Sequence, residues 1–281
     1  NVVSRGVATH KVVYSPELFT QEACELLARY RQQPFFLYLA YTLPHANNEA
    51  GRTAGLEVPS DDPYRDRDWP QAEKNFAAMV TKLDAEVGLV LARLAELGLA
   101  DDTLVFFTSD NGPHQEAGRD PAFFRSSGPL RGIKRSMHDG GTRVPFIVRW
   151  PGHIAPGTTD QVAAFWDVLP TLAELAGAAV PAGVDGLSLT PTLLGEAAAG
   201  RPQPQHEYLY WEFYEGGFQQ AIRAGNWKGV RPPGKAPLQL YDLSSDPHED
   251  RDLAAEHADV VARLKQLLVA ARTDSPDYPR E

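Results

Sequence analysis

Apolar positions recur at helical spacing near the start of the chain, where Ser15-Pro16-Glu17 and Thr20 are helix-start signals. Leu18, Ala23, Leu26, Leu27 and Tyr30 follow them. Pro34 stops that helix, and Phe35-Phe36-Leu37-Tyr38-Leu39-Ala40 is then apolar without alternation, which predicts a strand buried on both faces, as in a parallel sheet. Residues 46–68 are rich in Gly, Asn, Pro and charge and predict a long loop, a kind of segment that usually carries function. From 69 to 97 the helical period returns in Phe76, Met79, Val80, Leu83, Val87, Val90, Leu91 and Leu94, with Gly98 as the C-cap. Two more apolar runs, Thr103-Leu104-Val105-Phe106-Phe107-Thr108 and Val144-Pro145-Phe146-Ile147-Val148-Arg149-Trp150, predict further buried strands. Asp167-Val168-Leu169-Pro170-Thr171 opens a short helix ending at Gly177.

Strands alternating with helices predict an α/β fold, a mostly parallel sheet with helices on both faces, over residues 1–200. After about residue 200 the pattern changes. Short strand-like runs at 208–213, 219–223, 227–230 and 238–241 precede a helix at about 253–271. Residues 201–281 are therefore expected to form a small antiparallel sheet with one terminal helix.

Composition narrows the partners. The 281 residues are 43% hydrophobic and 23% charged, enough for a substantial core. The net charge of −10 argues against a nucleic-acid partner, which wants a basic face. No apolar run reaches the roughly 18–20 residues of a membrane span. The single cysteine, Cys24, excludes an intrachain disulfide and reads as a buried free thiol in a helix. The sequence starts at Asn1-Val2-Val3-Ser4, with no initiator Met, charged n-region or apolar h-region; either a signal was removed or the beginning is missing.

Three features fall just past strand ends, where α/β folds place ligands. In Thr108-Ser109-Asp110-Asn111-Gly112-Pro113, a carboxylate and an amide oxygen side by side are hard donors suited to Ca²⁺ or Mg²⁺, although Asp-Asn-Gly is also a common turn. His45, in Leu43-Pro44-His45, can give a proton or hydrogen bond to a substrate oxygen, or simply pack a loop. Lys134, in Gly128-Pro129-Leu130-Arg131-Gly132-Ile133-Lys134 before Asp139-Gly140-Gly141-Thr142-Arg143, can neutralise an oxyanion beside a metal, or be solvated as most lysines are.

In combination, order and spacing these features closely resemble the type I, formylglycine-dependent sulfatases, relatives of alkaline phosphatase. The resemblance runs from Pro34-Phe35-Phe36-Leu37-Tyr38-Leu39-Ala40-Tyr41-Thr42-Leu43-Pro44-His45 through Ser109-Asp110-Asn111-Gly112, Leu130-Arg131-Gly132-Ile133-Lys134 and Arg143-Val144-Pro145. It continues through Asp167-Val168-Leu169-Pro170-Thr171 to Leu240-Tyr241-Asp242-Leu243 and Asp246-Pro247. It implies an alkaline phosphatase-like fold, with Asp110 and Asn111 as half of a Ca²⁺ ligand set and His45 and Lys134 on the sulfate. These residues are expected to converge at one sheet edge. Asn111, where two-metal phosphatases typically carry His, resembles the one-metal sulfatase version. Sulfatases of this type are periplasmic or secreted, which is the expectation here.

The family's nucleophile is a formylglycine made from Cys or Ser in a Cys/Ser-x-Pro-x-Arg motif. Cys24 is followed by Glu-Leu-Leu-Ala-Arg and does not qualify. Ser127-Gly128-Pro129-Leu130-Arg131 fits the short pattern, but Ser136-Met137 stands where Thr-Gly is expected, and the run lies downstream of Asp110; it reads as coincidence. The resemblance places the first residues about midway through a complete sulfatase, so the nucleophile, an Asp-Asp metal pair and the motif Arg are expected in a missing N-terminal half. The chain alone is expected to be inactive and to bind Ca²⁺ weakly.

Gly112-Pro113-His114-Gln115-Glu116-Ala117-Gly118 with Phe123-Phe124 resembles a bacterial carbohydrate-sulfatase subgroup, so His114 and Glu116 are candidates for sugar hydroxyls. Trp211 is a candidate aromatic wall or a core residue. The leading expectation is hydrolysis of a sulfate ester, on a sulfated small molecule or glycan. The alternatives are phosphonate or phosphodiester hydrolysis on the same scaffold, and a non-catalytic binding fragment.

Overall fold

A computed structural model describes residues 12–278. Helix α1 (Ser15–Tyr30) starts where Pro16 and Glu17 suit a first turn. Its buried stripe is Pro16, Thr20, Ala23 and Leu27, while Leu18 and Tyr30 of the expected stripe stand exposed. Cys24 is half-buried there, and that burial pushes its thiol above the usual range.

The expected 46–68 loop carries a 3-10 turn, Asn48–Ala50, and one helical turn, α2 (Gly51–Ala54). Helix α3 (Gln71–Glu96) ends as its glycine predicts. Gly98, at φ 70°, donates its N–H to the Ala95 carbonyl at 3.0 Å, and Leu99 donates to Leu94 at 2.8 Å, which satisfies two of the last carbonyls. Helices α1 and α3 pack together, and Lys82 pairs with Glu17 at 2.6 Å and Glu86 at 3.0 Å. Leu43, Ala46, Leu56 and Met79 form the buried cluster beside Phe76 and Ala117.

Strands β1 (Val105–Thr108) and β2 (Phe146–Arg149) form an antiparallel pair, with Val105 opposite Arg149 and Thr108 opposite Phe146. Between them lies the one-turn helix α4 (Asp139–Thr142). A 3-10 turn, Phe165–Asp167, leads into α5 (Val168–Leu175), with α6 (Thr190–Leu194) and α7 (Glu196–Ala199) after it. Asp167, fully buried, accepts from the Ala164 and Leu187 amides and meets the His206 ring at 2.9 Å.

The C-terminal expectation is met. Strands β3 (Leu209–Phe213), β4 (Gln219–Ala224), β5 (Trp227–Arg231) and β6 (Gln239–Asp242) form an antiparallel meander, followed by α8 (Ala258–Ala270). One sheet face packs Ile222, Ala224, Leu238 and Leu240 against Leu264 and Leu268 of α8. On the other, Ala221, Val230 and Tyr241 pack around Met137. The short loop before α4 is therefore a wall of the core.

Two features differ from expectation. The described residues hold two sheets, both antiparallel, where a mostly parallel sheet was expected. Unbroken apolar runs argue for burial on both faces and say nothing about strand direction. Residues 35–40 form no strand: nothing among the described residues pairs with them, and burial alternates, with Phe36 77% and Tyr38 72% exposed beside half-buried Phe35, Leu37 and Leu39. A run becomes a doubly buried strand only when neighbours supply ladder bonds and cover, and here the described residues supply neither.

By contact density the described chain divides into two units. The first runs to Leu104 and includes His114–Phe124; the second comprises Val105–Pro113 and Arg125 onward.

Backbone proximity in the second unit makes a sharp prediction. A Cβ on Gly112 would lie 1.9 Å from the Gly140 carbonyl oxygen, whereas one on Gly88, in α3, meets nothing within 4 Å. Gly112→Ala is expected to destabilise by about 1–3 kcal/mol or more through overpacking, and Gly88→Ala to stabilise by about 0.5–1 kcal/mol. Urea unfolding of the two variants checks this; matching midpoints would contradict it.

Candidate active site

Asp110 and Asn111 sit in the turn that follows β1. The Asn111 amide nitrogen donates to the Gly112 carbonyl at 2.9 Å. A carbonyl only accepts, so the NH₂ end of the amide is committed there, and Oδ1 is the end that can serve a cation. Asp110 is exposed, with the Ser109 hydroxyl 3.5 Å from its carboxylate. The pair fits a hard, oxygen-preferring cation. It is two of the roughly six to eight oxygens that Ca²⁺ takes. Among the described residues no cluster of three or more His, Cys, Asp or Glu offers a fuller set.

The Asp110-Asn111 turn is joined by backbone to the loop that carries Lys134. Lys134 donates its amide to the Pro113 carbonyl at 2.8 Å, and Gly112 donates to Gly141 at 2.9 Å. Gly140 in turn donates to Arg131 at 2.7 Å and closes the loop on itself. These approaches need glycine: a Cβ on Gly140 would lie 2.2 Å from the Gly132 oxygen, and one on Gly141 2.2 Å from the Ser136 oxygen. Metal-ligand candidates and candidate sulfate-binding cation thus share one rigid frame.

Within that loop Ser127 donates its hydroxyl to the Gly132 carbonyl at 2.8 Å, a structural bond within its own turn. His138 follows Lys134 a few residues later in the same loop. Its Nδ1 lies 3.2 Å from the Ser136 hydroxyl, its ring meets Tyr241 edge-on at 5.7 Å, and its Nε2 is buried without a hydrogen-bond partner. Burial, then the positive charges of Arg131 and Lys228, push its pKa down to about 4. His138 is a neutral ring wedged behind the Lys134 loop.

His45, His114 and Glu116 belong to the first unit. His45 Nδ1 donates to the Ala46 carbonyl at 2.6 Å, which leaves Nε2 as the outward nitrogen, 3.6 Å from Glu116 Oε2. His114 is buried with both nitrogens engaged: Nε2–H donates to the Pro44 carbonyl at 3.0 Å, and Nδ1 accepts the Glu116 amide at 3.1 Å. Burial lowers its pKa, in keeping with a neutral ring. The sugar-hydroxyl role considered for His114 therefore has no nitrogen to use; the residue holds the Glu116 turn against the segment that carries His45. Glu116 faces His45 instead of pointing to open solvent. Arg119, which donates to the His114 carbonyl at 2.6 Å and lies 3.4 Å over the Phe76 ring, fixes the same turn. Buried Glu73 of α3 accepts the Asp120 amide at 2.6 Å. Trp211, half-buried on β3, packs beside Met137.

A family model described as Sulfatase matches residues 7–178, and one described as N-sulphoglucosamine sulphohydrolase, C-terminal, matches residues 133–274. The chain belongs to the sulfatase family. It is 35% identical over 276 residues to arylsulfatase A of Homo sapiens, covering 88% of this chain and 51% of that protein. It is 31% identical over 285 residues to an N-acetylgalactosamine-6-O-sulfatase of Bacteroides thetaiotaomicron, covering 92% of this chain and 51% of the relative. Among solved structures it is similar to Ps i-CgsB in complex with k-i-k-neocarrahexaose, with a TM-score of 0.79 at 25% identity over 99% of this chain and 59% of that one. This sulfatase-family chain spans about half the length of the curated relatives it matches.

Several groups escaped sequence reasoning: Lys228, Glu249, Glu73 and Arg119, all buried. Lys228 could have been found from alternation alone, since it shares a strand face with core residue Val230.

The His138 geometry sets a pH dependence. Its folded pKa lies below that of the unfolded chain, so between about pH 6.5 and 4 the unfolded state binds more protons, and folding stability falls as pH falls through that window. His138→Gln is expected to lose this component. Melting midpoints of variant and wild type, measured from pH 7.5 to 4.5, should converge or cross toward the acid end; a constant gap would contradict the assignment.

Proposed function

We propose that the protein hydrolyses a sulfate ester, on a sulfated carbohydrate, with Lys134 and His45 acting on the sulfate and Asp110 and Asn111 holding a divalent metal, Ca²⁺ in first place. The observation that carries this reading is the shared frame: a carboxylate and amide oxygen in one turn, joined by the Pro113–Lys134 and Gly112–Gly141 bonds to a loop that presents a lysine. Membership of the sulfatase family and the N-acetylgalactosamine-6-O-sulfatase relative support the substrate class.

A bound metal supplies positive charge to a nonbridging sulfate oxygen. This chain's own groups do the rest of what the 281 residues can do. Lys134 contributes a compact ammonium toward the transferring sulfuryl group, where negative charge must be held while the S–O bond breaks. His45, with Nδ1–H committed to the Ala46 carbonyl, acts on a sulfate or leaving-group oxygen as the imidazolium, donating from Nε2–H, with the Glu116 carboxylate 3.6 Å away to hold the ring. The nucleophile in this reading is a formylglycine from outside these residues, and a periplasmic or secreted location belongs to the same reading.

Asn111 and Lys134 are expected to separate in kinetics of the complete protein. Asn111→Ala removes a neutral metal ligand and is partly rescued by high Ca²⁺. Lys134→Ala lowers turnover on the order of 10²–10³ without calcium rescue, as for other oxyanion-stabilising donors. Turnover of an aryl sulfate and an aryl phosphodiester, measured for both variants across a calcium series, checks this. Near-wild-type turnover for Lys134→Ala removes Lys134 from the site, and faster phosphodiester than sulfate turnover in the wild type overturns the sulfatase reading.

A further inference from the structure

Glu249 lies more than a hundred residues after Lys134 and outside every motif considered for the site, yet it holds both ends of the Lys134 loop. At the start of the loop, Arg131 Nη1 donates to the Glu249 backbone carbonyl at 2.7 Å and to the Tyr241 hydroxyl at 3.2 Å. At its end, the Asp139 amide donates to Glu249 Oε2 at 2.6 Å. The other carboxylate oxygen of Glu249 is 3.0 Å from Lys228 Nζ, and the same ammonium donates to Asp139 Oδ1 at 2.5 Å. All three charged groups are shut away from water, Lys228 1%, Glu249 0% and Asp139 7% exposed. An ammonium between two carboxylates is a three-way tie that bulk solvent cannot replace.

The backbone of Glu249 gives a second, independent observation. Its φ is 57°, in the left-handed region that costs a side-chain-bearing residue energy and that glycine adopts freely. A fully buried glutamate in that conformation persists only where its surroundings over-determine it. Turn-making alone would be served better by glycine, so the carboxylate is what the position requires.

We infer that Glu249, with Lys228 and Asp139, is a positioning clamp that sets where Lys134 stands relative to the Asp110-Asn111 turn. This rests on the reading of Lys134 as a sulfate-contacting cation. The clamp acts through the loop: it pins residues 131 and 139, the Gly140–Arg131 bond closes the interval between them, and the Lys134 and Gly112 amides carry that placement to the metal-ligand turn. None of the three residues touches substrate in this scheme. A small shift of a catalytic group costs a large factor in rate, about 10² for 1 Å, so loosening the clamp falls on turnover more than on substrate affinity.

The test uses the complete protein and the variants Glu249→Gly, Glu249→Gln and Lys134→Ala, with hydrogen exchange and aryl-sulfate kinetics read together. Glu249→Gly removes the carboxylate while relieving the backbone. It is expected to lower amide protection across residues 131–143 at least tenfold while β4 and β5 keep theirs, and to lower kcat on the order of 10–10² with KM changed little. Glu249→Gln keeps an acceptor for the Asp139 amide without the charge and should fall between. Unchanged protection in the loop overturns the clamp whatever the activity does. If Lys134→Ala cuts turnover and Glu249→Gly loosens the loop without affecting kcat, the clamp is structural and the positioning claim is wrong. If Lys134→Ala itself leaves turnover intact, the fault lies with the reading of Lys134. Should Glu249→Gly also expose β4 and β5, Arg131→Ala decides the matter: it leaves the ion triad whole and cuts one end of the loop. A few-fold loss of loop protection and of kcat is then expected, and no change in either contradicts the inference.

Discussion

A lysine ammonium buried on the inner face of a four-stranded sheet is the constraint around which the second unit is organised. Removing the ammonium from such a buried cluster leaves two uncompensated carboxylates and costs roughly 3–5 kcal/mol. Lys228 therefore has to meet Asp139 and Glu249 whenever the sheet forms, and those partners come from two distant stretches of chain. Burial raises the Glu249 carboxyl above the usual carboxylate range, and the Lys228 charge offsets only part of that rise. Neutral ring and aromatic neighbours, His138 and Tyr241, complete the enclosure. The C-terminal sheet is in this sense a foundation for the loop above it: its α8 face makes an ordinary apolar core, while its other face grips the Met137 loop by packing and by charge.

Much of this was legible in sequence, for reasons that can be named. The C-terminal meander and helix follow from period-two runs giving way to a period of 3.6, and each run pairs with its neighbour as short connections require. Gly98 ends α3 as a left-handed glycine should. The Asp110-Asn111 turn and the Lys134 loop were both found as motifs, and the structure adds the backbone bonds that join them. What failed was inference from apolar continuity. Residues 35–40, β1 and β2 are apolar enough for a doubly covered parallel sheet, yet direction and cover depend on which strands lie alongside, and composition holds no record of that.

Buried polar groups were the other blind spot. By residue type, nothing sets Glu73, Arg119, Lys228 and Glu249 apart from solvated charges, the usual fate of such residues, yet all four are buried. Glu73, Lys228 and Glu249 are instead tied to a backbone amide or opposite charge from far along the chain, and Arg119 to the His114 carbonyl within its own turn. His114 shows the same thing from the opposite side: a histidine in a candidate substrate motif whose nitrogens are both taken by backbone. In both units the loops nearest the candidate chemistry are held by buried polar ties more than by apolar packing. That suits a site whose charged groups must keep fixed spacing while a charged substrate comes and goes.

The dependence of Lys134 on the buried clamp can be isolated by a double-mutant cycle in turnover, combining Glu249→Gly with Lys134→Ala in the complete protein. If the clamp acts by placing Lys134, its loss has no further effect on kcat once that lysine is alanine, and the two substitutions are strongly non-additive. If the two losses multiply, as for independent sites, the clamp does not work through Lys134 and the account is contradicted.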